Sequence, residues 1–189
     1  MDDKVIIREA DAGEAAQIAQ LFLLAWPVEE MAQSNGITAE MLLESVTAFA
    51  AREDTIYSYT NTYVAEIEGK IVGAMCGYDG ADYKKLKQPI VDVIGQDSAF
   101  AHMQETEDGE YYLDSVGVLP EFRGRGIASR LFEAHFTRAA ALGHKVAGLI
   151  VDVDKPKAEA LYARLGFRLE GYKDFFGHDM KHMVREIGE

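Results

Sequence analysis

Two glycines and two arginines stand directly in front of a helical pattern in residues 120–132, PEFRGRGIASRLF. Glycine is a poor helix former, so Gly124 and Gly126 indicate a backbone that must bend or approach another group closely. A helix N-terminus leaves about four amide groups without partners and carries roughly half a positive charge. Arg123 and Arg125 add two further charges. The segment therefore predicts an anion site for a phosphate group, between a strand and a helix.

Two common nucleotide motifs do not fit this segment. A P-loop requires G-x-x-x-x-G-K-[ST], and a dinucleotide fingerprint requires G-x-G-x-x-G after the first strand, whereas GRGIAS has two glycines and comes late in the chain. A solvated turn and an arginine–glycine patch for RNA remain as alternatives on these residues alone. The formal net charge of −13, from 19 Lys and Arg against 32 Asp and Glu, argues against RNA. A nucleic-acid groove needs a basic face.

The pattern around this segment predicts one α/β domain. The 189 residues, 48% of them hydrophobic, suffice for one sizeable core. Two helices, the second capped by Thr38, follow the first strand, and residues 81–109 predict a short helix on each side of Pro89. Other elements predicted from periodicity and turn residues are a strand at 4–10, a hairpin at 62–78 turning at Glu68–Gly69, a strand at 111–120, a helix at 127–142, a strand at 145–153, a helix from Pro156 to Gly166, and two closing strands.

The segment VGVLPEFRGRGIASRLF resembles the acetyl-coenzyme A site of the GNAT family of N-acetyltransferases, in which V-x-P at a strand end precedes [RQ]-x-x-G-x-[GA]. A second block, LIVDVDKPKAEALYARLGF, is similar to the family's next strand and helix, which end in A-x-x-L-Y-x-x-x-G-F. The strong resemblance covers about residues 111–168. The first block is formed here by Arg123, Gly124, Arg125, Gly126, Ile127 and Ala128, and the second by Ala158, Leu161, Tyr162, Gly166 and Phe167.

The resemblance implies a single N-acetyltransferase domain over residues 1–189. Such a domain has a mixed α+β fold: a central mixed, mostly antiparallel sheet of six to seven strands, flanked by about four helices. Residues 81–109 would be an insert between the third and fourth strands.

The resemblance also implies a co-substrate, acetyl-coenzyme A, and roles for particular residues. The pyrophosphate would bind the amides of residues 123–128, and the pantetheine would run along the backbone of Val116 and Val118. Tyr162 would be the general acid, although a half-buried core tyrosine is the alternative. Lys155 replaces an Asn that often contacts the pantetheine, so that contact is lost or Lys155 reaches a phosphate instead.

The proton acceptor for the amine is less clearly indicated. Asp114, in the strand at 111–120, is the candidate that the resemblance suggests, with Glu66 and Glu110 as rivals. Each of the three also has an ordinary interpretation as a surface or structural carboxylate.

The expected reaction is direct transfer of an acetyl group to an amine of a small molecule or peptide. A non-catalytic acetyl-coenzyme A sensor or interaction module is the alternative. The insert ends in Glu105, Glu107, Asp108 and Glu110, and an acidic rim there would attract a cationic amine.

Several other features predict absences. His178 and His182 have metal-ligand spacing only if helical, and their segment is predicted to be a strand, so no metal is expected. The single cysteine, Cys76, predicts a core residue. The N-terminal residues lack a signal-peptide profile, and no apolar run approaches about 20 residues. We expect a cytoplasmic protein with no nucleic-acid or membrane partner, and homodimers are compatible with such a domain.

Overall fold

The computed structural model describes residues 4–188 and arranges seven strands of this part of the chain in one sheet. The predicted domain bounds of 1–189 therefore include residues 1–3 and 189, which lie outside the described part. The strand order is β1-β2-β3-β4-β5-β7-β6, with β4 and β5 parallel and the pairs β1–β2, β2–β3, β5–β7 and β6–β7 antiparallel. The strands are β1 (Ile6–Glu9), β2 (Thr62–Ile67), β3 (Lys70–Asp79), β4 (Glu110–Val118), β5 (Val146–Asp152), β6 (Arg168–Phe175) and β7 (His178–Glu186).

The mixed α/β class and the mostly antiparallel sheet confirm the predicted fold. The described residues form seven α-helices, more than the four or so predicted, because short helices follow Pro27 and fill the segment between β3 and β4. The helices are α1 (Ala15–Leu23), α2 (Val28–Ser34), α3 (Ala39–Ala50), α4 (Tyr83–Ile94), α5 (Ala99–His102), α6 (Ile127–Ala141) and α7 (Pro156–Arg164).

Local sequence signals account for several of these boundaries. The side chain of Thr38 accepts a hydrogen bond from the Met41 amide at 3.1 Å, so it caps α3 as predicted. The β2–β3 hairpin turns at Glu68 and Gly69, whose φ angles are 49° and 81°. Positive φ at both central residues is the conformation that matches the twist of a two-residue hairpin.

One helix prediction is wrong. Helix α4 runs without a break through Pro89, where two short helices were expected. The proline removes one backbone hydrogen bond from the helix. Tyr83, Ile90 and Val91 are buried, and this packing of one apolar face offsets the local cost.

The chain forms two compact units, and the first contains the residues up to Gly77 together with Ser115–Ala134. Its core packs α1 on the sheet through Ile18 and Phe22, which contact side chains of β2 and β3. Cys76 of β3 is a buried part of this cluster, as predicted. Gly117 of β4 has no room for a side chain, because a Cβ there would collide with the Leu21 carbonyl.

The second unit contains Tyr78–Asp114 and the residues from His135 onward. Strand β5 is its centre, and Ala147, Leu149 and Val151 are buried. The parallel register of β4 with β5 covers three pairs, from Glu110↔Val146 to Tyr112↔Gly148, at the beginning of both strands. Along its other edge β5 pairs with β7 over its whole length, from Val146↔Glu186 to Asp152↔Met180.

The insert, residues 81–109, is closed on itself within the second unit. The Thr106 hydroxyl donates to the Gly80 carbonyl at 3.0 Å, which joins the two ends of the insert. Lys173 of β6 donates to the Glu105 carbonyl at 2.8 Å and forms an ion pair of 2.6 Å with Glu107. The insert is therefore a folded element that is fastened to the sheet at its C-terminal end.

Candidate active site

The loop between β4 and α6 has the backbone that its glycines permit. Gly124 and Gly126 adopt φ angles of 78° and 74°, a region that residues with side chains rarely occupy. No atom lies within 4 Å of the position that a Cβ would take at either glycine. The glycines are thus required by the turn itself, and the space above them is open to a ligand.

Helix α6 begins directly after this loop. The Arg130 amide donates to the Gly126 carbonyl at 3.2 Å, and Ile127 is buried, so the first turn is well anchored. In an α-helix the first four amides have no hydrogen-bond acceptor within the helix, and here these are the amides of residues 126–129. They form the positive end of the helix dipole. A helix N-terminus and open glycines together fit a phosphate-bearing group.

The two arginines of the loop differ in what they contact. The Arg123 Nε donates to the Val118 carbonyl at 3.0 Å, so this side chain joins the loop to the end of β4. The Arg125 guanidinium carbon lies 5.1 Å from the centroid of the Phe122 ring. Both arginines are exposed, and Arg125 lies over an aromatic ring.

The final residues of β4 form the strand side of the same unit. Val116 and Val118 are half-buried, and they alternate with the buried Ser115 and Gly117. The Trp26 Nε1 donates to the Ser115 hydroxyl at 3.0 Å. Sequence reasoning did not single out Trp26, because nothing local connects it to a strand 89 residues away. The first unit thus brings together Val116, Val118 and residues 123–128.

Tyr162 lies on α7 in the second unit, half-buried, with its ring centroid 6.2 Å from that of Phe167 in an edge-on contact. Burial raises the pKa of Tyr162 to about 12, so the phenol is protonated at neutral pH. A general acid requires that state. The packing on Phe167 equally fits the core interpretation, and the acid role stays a prediction.

Lys155 is the residue in front of α7, and its side chain is exposed. Its amide donates to the Asp152 carbonyl at 3.0 Å. Its role toward a coenzyme also stays a prediction.

Asp114 is half-buried on β4, and the Tyr78 hydroxyl donates to its Oδ2 at 2.8 Å. The two rivals also have partners. Glu66 accepts a hydrogen bond of 2.9 Å from Arg8, which also binds Glu14.

Glu110 is buried, and its Oε2 lies 2.9 Å from the Nε2 of His182. Its Oε1 accepts from the Glu107 amide at 2.8 Å. Glu110 also occupies the space in which a side chain at Gly148 would lie. The role of Asp114 as the proton acceptor, with Glu66 and Glu110 as rivals, stays a prediction.

The predicted acidic rim of the insert needs correction. Glu105 and Glu110 are buried, and Glu107 is exposed but paired with Lys173, while Asp108 is exposed. A short polar segment favours exposed acids, and it does not reveal that Tyr83 lies 22 residues from Glu105 or that His182 lies 72 residues from Glu110.

His178 and His182 lie on a strand, as predicted, and each faces a carboxylate: Asp152 at 3.4 Å and Glu110 at 2.9 Å. Among residues 4–188, no group of three or more His, Cys, Asp or Glu side chains could hold a metal ion. None of the described helices is long and apolar enough to span a bilayer.

Comparison with known proteins identifies the family of this chain. The model of the acetyltransferase (GNAT) family matches residues 18–167. A crystal structure of an acetyltransferase is 31% identical to this chain, with a TM-score of 0.78 over 97% of this chain and 100% of that one. The chain therefore belongs to the GNAT acetyltransferase family and is an acyltransferase. Members of this family use acetyl-coenzyme A and act on amine acceptors.

More distant structures share the fold. An N-acetyltransferase from Staphylococcus aureus Mu50 is 23% identical, with a TM-score of 0.81 over 95% of this chain and 99% of that one. A polyamine N-acetyltransferase of Drosophila melanogaster is 18% identical, with a TM-score of 0.56 over 97% of this chain and 100% of that one. No curated protein sequence gave a significant match.

Proposed function

We propose that this chain, acting as one catalytic domain, transfers the acetyl group of acetyl-coenzyme A directly to an amine of a small molecule or peptide. The observation that carries the proposal is the loop at residues 123–128, in which two glycines of positive φ stand open at the N-terminus of α6. Such a loop accepts a pyrophosphate without help from a basic surface, in a chain whose net charge is −13.

The loop at residues 123–128 and the end of β4 bind different parts of acetyl-coenzyme A. The first-turn amides of α6 bind the pyrophosphate, and Arg125 adds a charge on the exposed side. The backbone of Val116 and Val118 binds the pantetheine as a short added strand, and the Val118 amide polarises the acetyl carbonyl. When bound, the coenzyme supplies an acetyl thioester whose carbon is open to attack by an amine.

Asp114 acts first on the acceptor. A primary amine is mostly protonated at neutral pH, and its ammonium gives one proton to the Asp114 carboxylate, which becomes a neutral carboxyl. The freed nitrogen lone pair forms the new bond to the acetyl carbon while the carbon–sulfur bond breaks. The second surplus proton of the nitrogen passes to solvent, and solvent returns a proton to the Tyr162 oxygen. Holding the two reactants together supplies most of the acceleration.

Tyr162 acts on the departing sulfur. Its hydroxyl, kept protonated by burial, donates a hydrogen bond and then its proton to the thiolate. Burial also disfavours the anionic sulfur and raises the pKa of the thiol, which offsets the raised pKa of the phenol in the proton transfer.

The acceptor class follows from charge. A protein of net charge −13 concentrates cationic amines near its surface and repels anionic ones. We therefore place polyamines, aminoglycosides and basic peptides ahead of acidic peptides as acceptors.

The test is a thiol-release assay with acetyl-coenzyme A and a panel of amines, with the acetylated product identified by mass spectrometry. We expect amine-dependent release of one thiol per acetylated amine, faster for cationic acceptors at low salt. Tight coenzyme binding without release for any amine would instead identify a sensor module and would refute the proposal.

A further inference from the structure

Two carboxyl groups and three tyrosines form a cluster in the second unit that is larger than the proposed reaction requires. The tyrosine–carboxyl cluster, as we call it, joins β3, α4, the end of the insert and β4. Its members are Tyr78, Tyr83, Glu105, Tyr112 and Asp114.

Each carboxyl group of the cluster accepts hydrogen bonds from tyrosine hydroxyls. Tyr83 and Tyr112 donate to the two oxygens of Glu105, each at 3.0 Å, and Tyr78 donates to Asp114 at 2.8 Å. Tyr83 and Tyr112 are fully buried, and Glu105 is 6% exposed, whereas Asp114 is half-buried. The two acids thus have similar partners and different access to solvent.

The rings connect the two carboxyl groups. The Tyr78 ring centroid lies 6.5 Å from that of Tyr83 and 5.8 Å from that of Tyr112. Tyr112 and Asp114 are two residues apart on β4 and therefore share one face of the sheet. Glu105 and Asp114 consequently lie at two edges of the same group of rings.

The cations near the cluster do not neutralise Glu105 by direct contact. Lys87 of α4 donates instead to three backbone carbonyls, of Phe100, Ala101 and Met103, at 3.2, 3.1 and 2.6 Å. Lys173 binds the Glu105 carbonyl and the Glu107 carboxylate. Burial first, and then the Asp114 charge, raise the pKa of Glu105, while Tyr83, Tyr112 and Lys87 lower it in part.

Two acids in such surroundings cannot both ionise easily, so one proton remains with the pair. The more deeply buried member keeps it, because ionisation of the more exposed member costs less desolvation.

We propose that Glu105 is a positioning residue for Asp114: it keeps the proton of the pair, so that Asp114 carries the single negative charge and accepts the proton of the amine. The inference rests on the proposed function for the step at Asp114. Tyr83 and Tyr112 then hold the neutral carboxyl group of Glu105, and Tyr78 holds the charged carboxylate of Asp114.

The first test needs no acceptor and no activity. Carboxyl carbons of the protein are titrated by NMR, with the Glu105 signal assigned by its loss in Glu105→Gln. We expect Glu105 to titrate clearly above the ordinary glutamate value of about 4.3. Asp114→Asn removes the neighbouring charge and keeps an acceptor for Tyr78, so the Glu105 midpoint should fall, whereas Asp97→Asn, at an exposed site of the insert, should leave it unchanged.

A Glu105 midpoint near 4.3, or a midpoint that is the same in Asp114→Asn as in the wild type, would overturn the inference.

The second test uses the pH profile of kcat/KM. The wild-type profile should contain a transition at the Glu105 midpoint that is missing in Glu105→Gln, and persistence of that transition would also count against it. If the wild type acetylates no amine, the proposed function fails, while the NMR titration still decides the state of the pair.

Discussion

The loop at residues 123–128 and the insert at residues 81–109 place their charges in opposite ways. Arg123 and Arg125 of the loop are exposed, and the Cβ positions of Gly124 and Gly126 face open space. Lys87 and Glu105 of the insert are each 6% exposed, and hydrogen bonds within the protein satisfy both. The loop therefore has interactions to offer a ligand, and the insert has used most of its own for folding.

The contrast concerns the range of the interactions as well. The loop takes its shape from Gly124 and Gly126, which act within a few residues of themselves. The insert takes its shape from contacts such as Lys173 to Glu105, 68 residues apart. A binding loop built locally tolerates changes elsewhere, whereas the insert depends on the sheet that it covers. Shortening the whole insert would consequently remove core side chains, and point substitutions are better probes.

Of the three substitutions proposed here, Tyr162→Phe should have the largest effect. Like the loop, Tyr162 belongs to the sequence motifs of the family. The change keeps the ring on Phe167 and removes only the hydroxyl, so the fold should be unaffected. General acid catalysis typically contributes about 10²- to 10⁴-fold, and we expect kcat to fall by an amount in that range with little change in coenzyme affinity. Steady-state kinetics and calorimetry measure the two quantities.

Tyr172→Phe is the matched control, since Tyr172 is 65% exposed on β6. It should leave kcat unaltered. A kcat for Tyr162→Phe within twofold of wild type would return Tyr162 to the role of a packing residue.

The contrast also explains what the sequence could predict. The loop, the α6 start and the α7 boundaries were predictable, because glycine and proline signals act locally: Gly166 after α7 has a φ of 88°, as a helix end requires. The burial of Glu105 and the hydrogen bond from Trp26 to Ser115 were not predictable. They depend on partners brought together by the fold, and the sequence near Glu105 does not reveal a tyrosine partner 22 residues away.

Lys87→Met should have the next largest effect, and it tests what stabilises the insert. Methionine keeps the length of the stem and removes the ammonium that binds three carbonyls at the end of α5. We expect a loss of roughly 2–3 kcal/mol in the free energy of unfolding, because buried acceptors lose their donor. Urea denaturation measures it.

Lys85→Met, two residues earlier and exposed, should change the same quantity by less than about 0.5 kcal/mol. Equal stabilities for the two variants would mean that apolar packing around Phe100, and not the ammonium, holds the insert together.

Gly126→Asp should have the smallest effect of the three, and it tests the loop directly. An aspartate at a φ of 74° strains the turn, and its carboxylate would lie in the open space assigned to the pyrophosphate. At about 4 Å two like charges repel by about 1 kcal/mol in water and by more near a protein surface. We therefore expect acetyl-coenzyme A affinity to fall about tenfold or more, measured by calorimetry.

Gly143→Asp is the control, because Gly143 also has a positive φ of 90° and open space around it, but follows the opposite end of α6. Both substitutions should lower stability similarly through backbone strain, and only the first should weaken coenzyme binding. Equal coenzyme affinities for the two variants would show that the N-terminus of α6 is not the anion site.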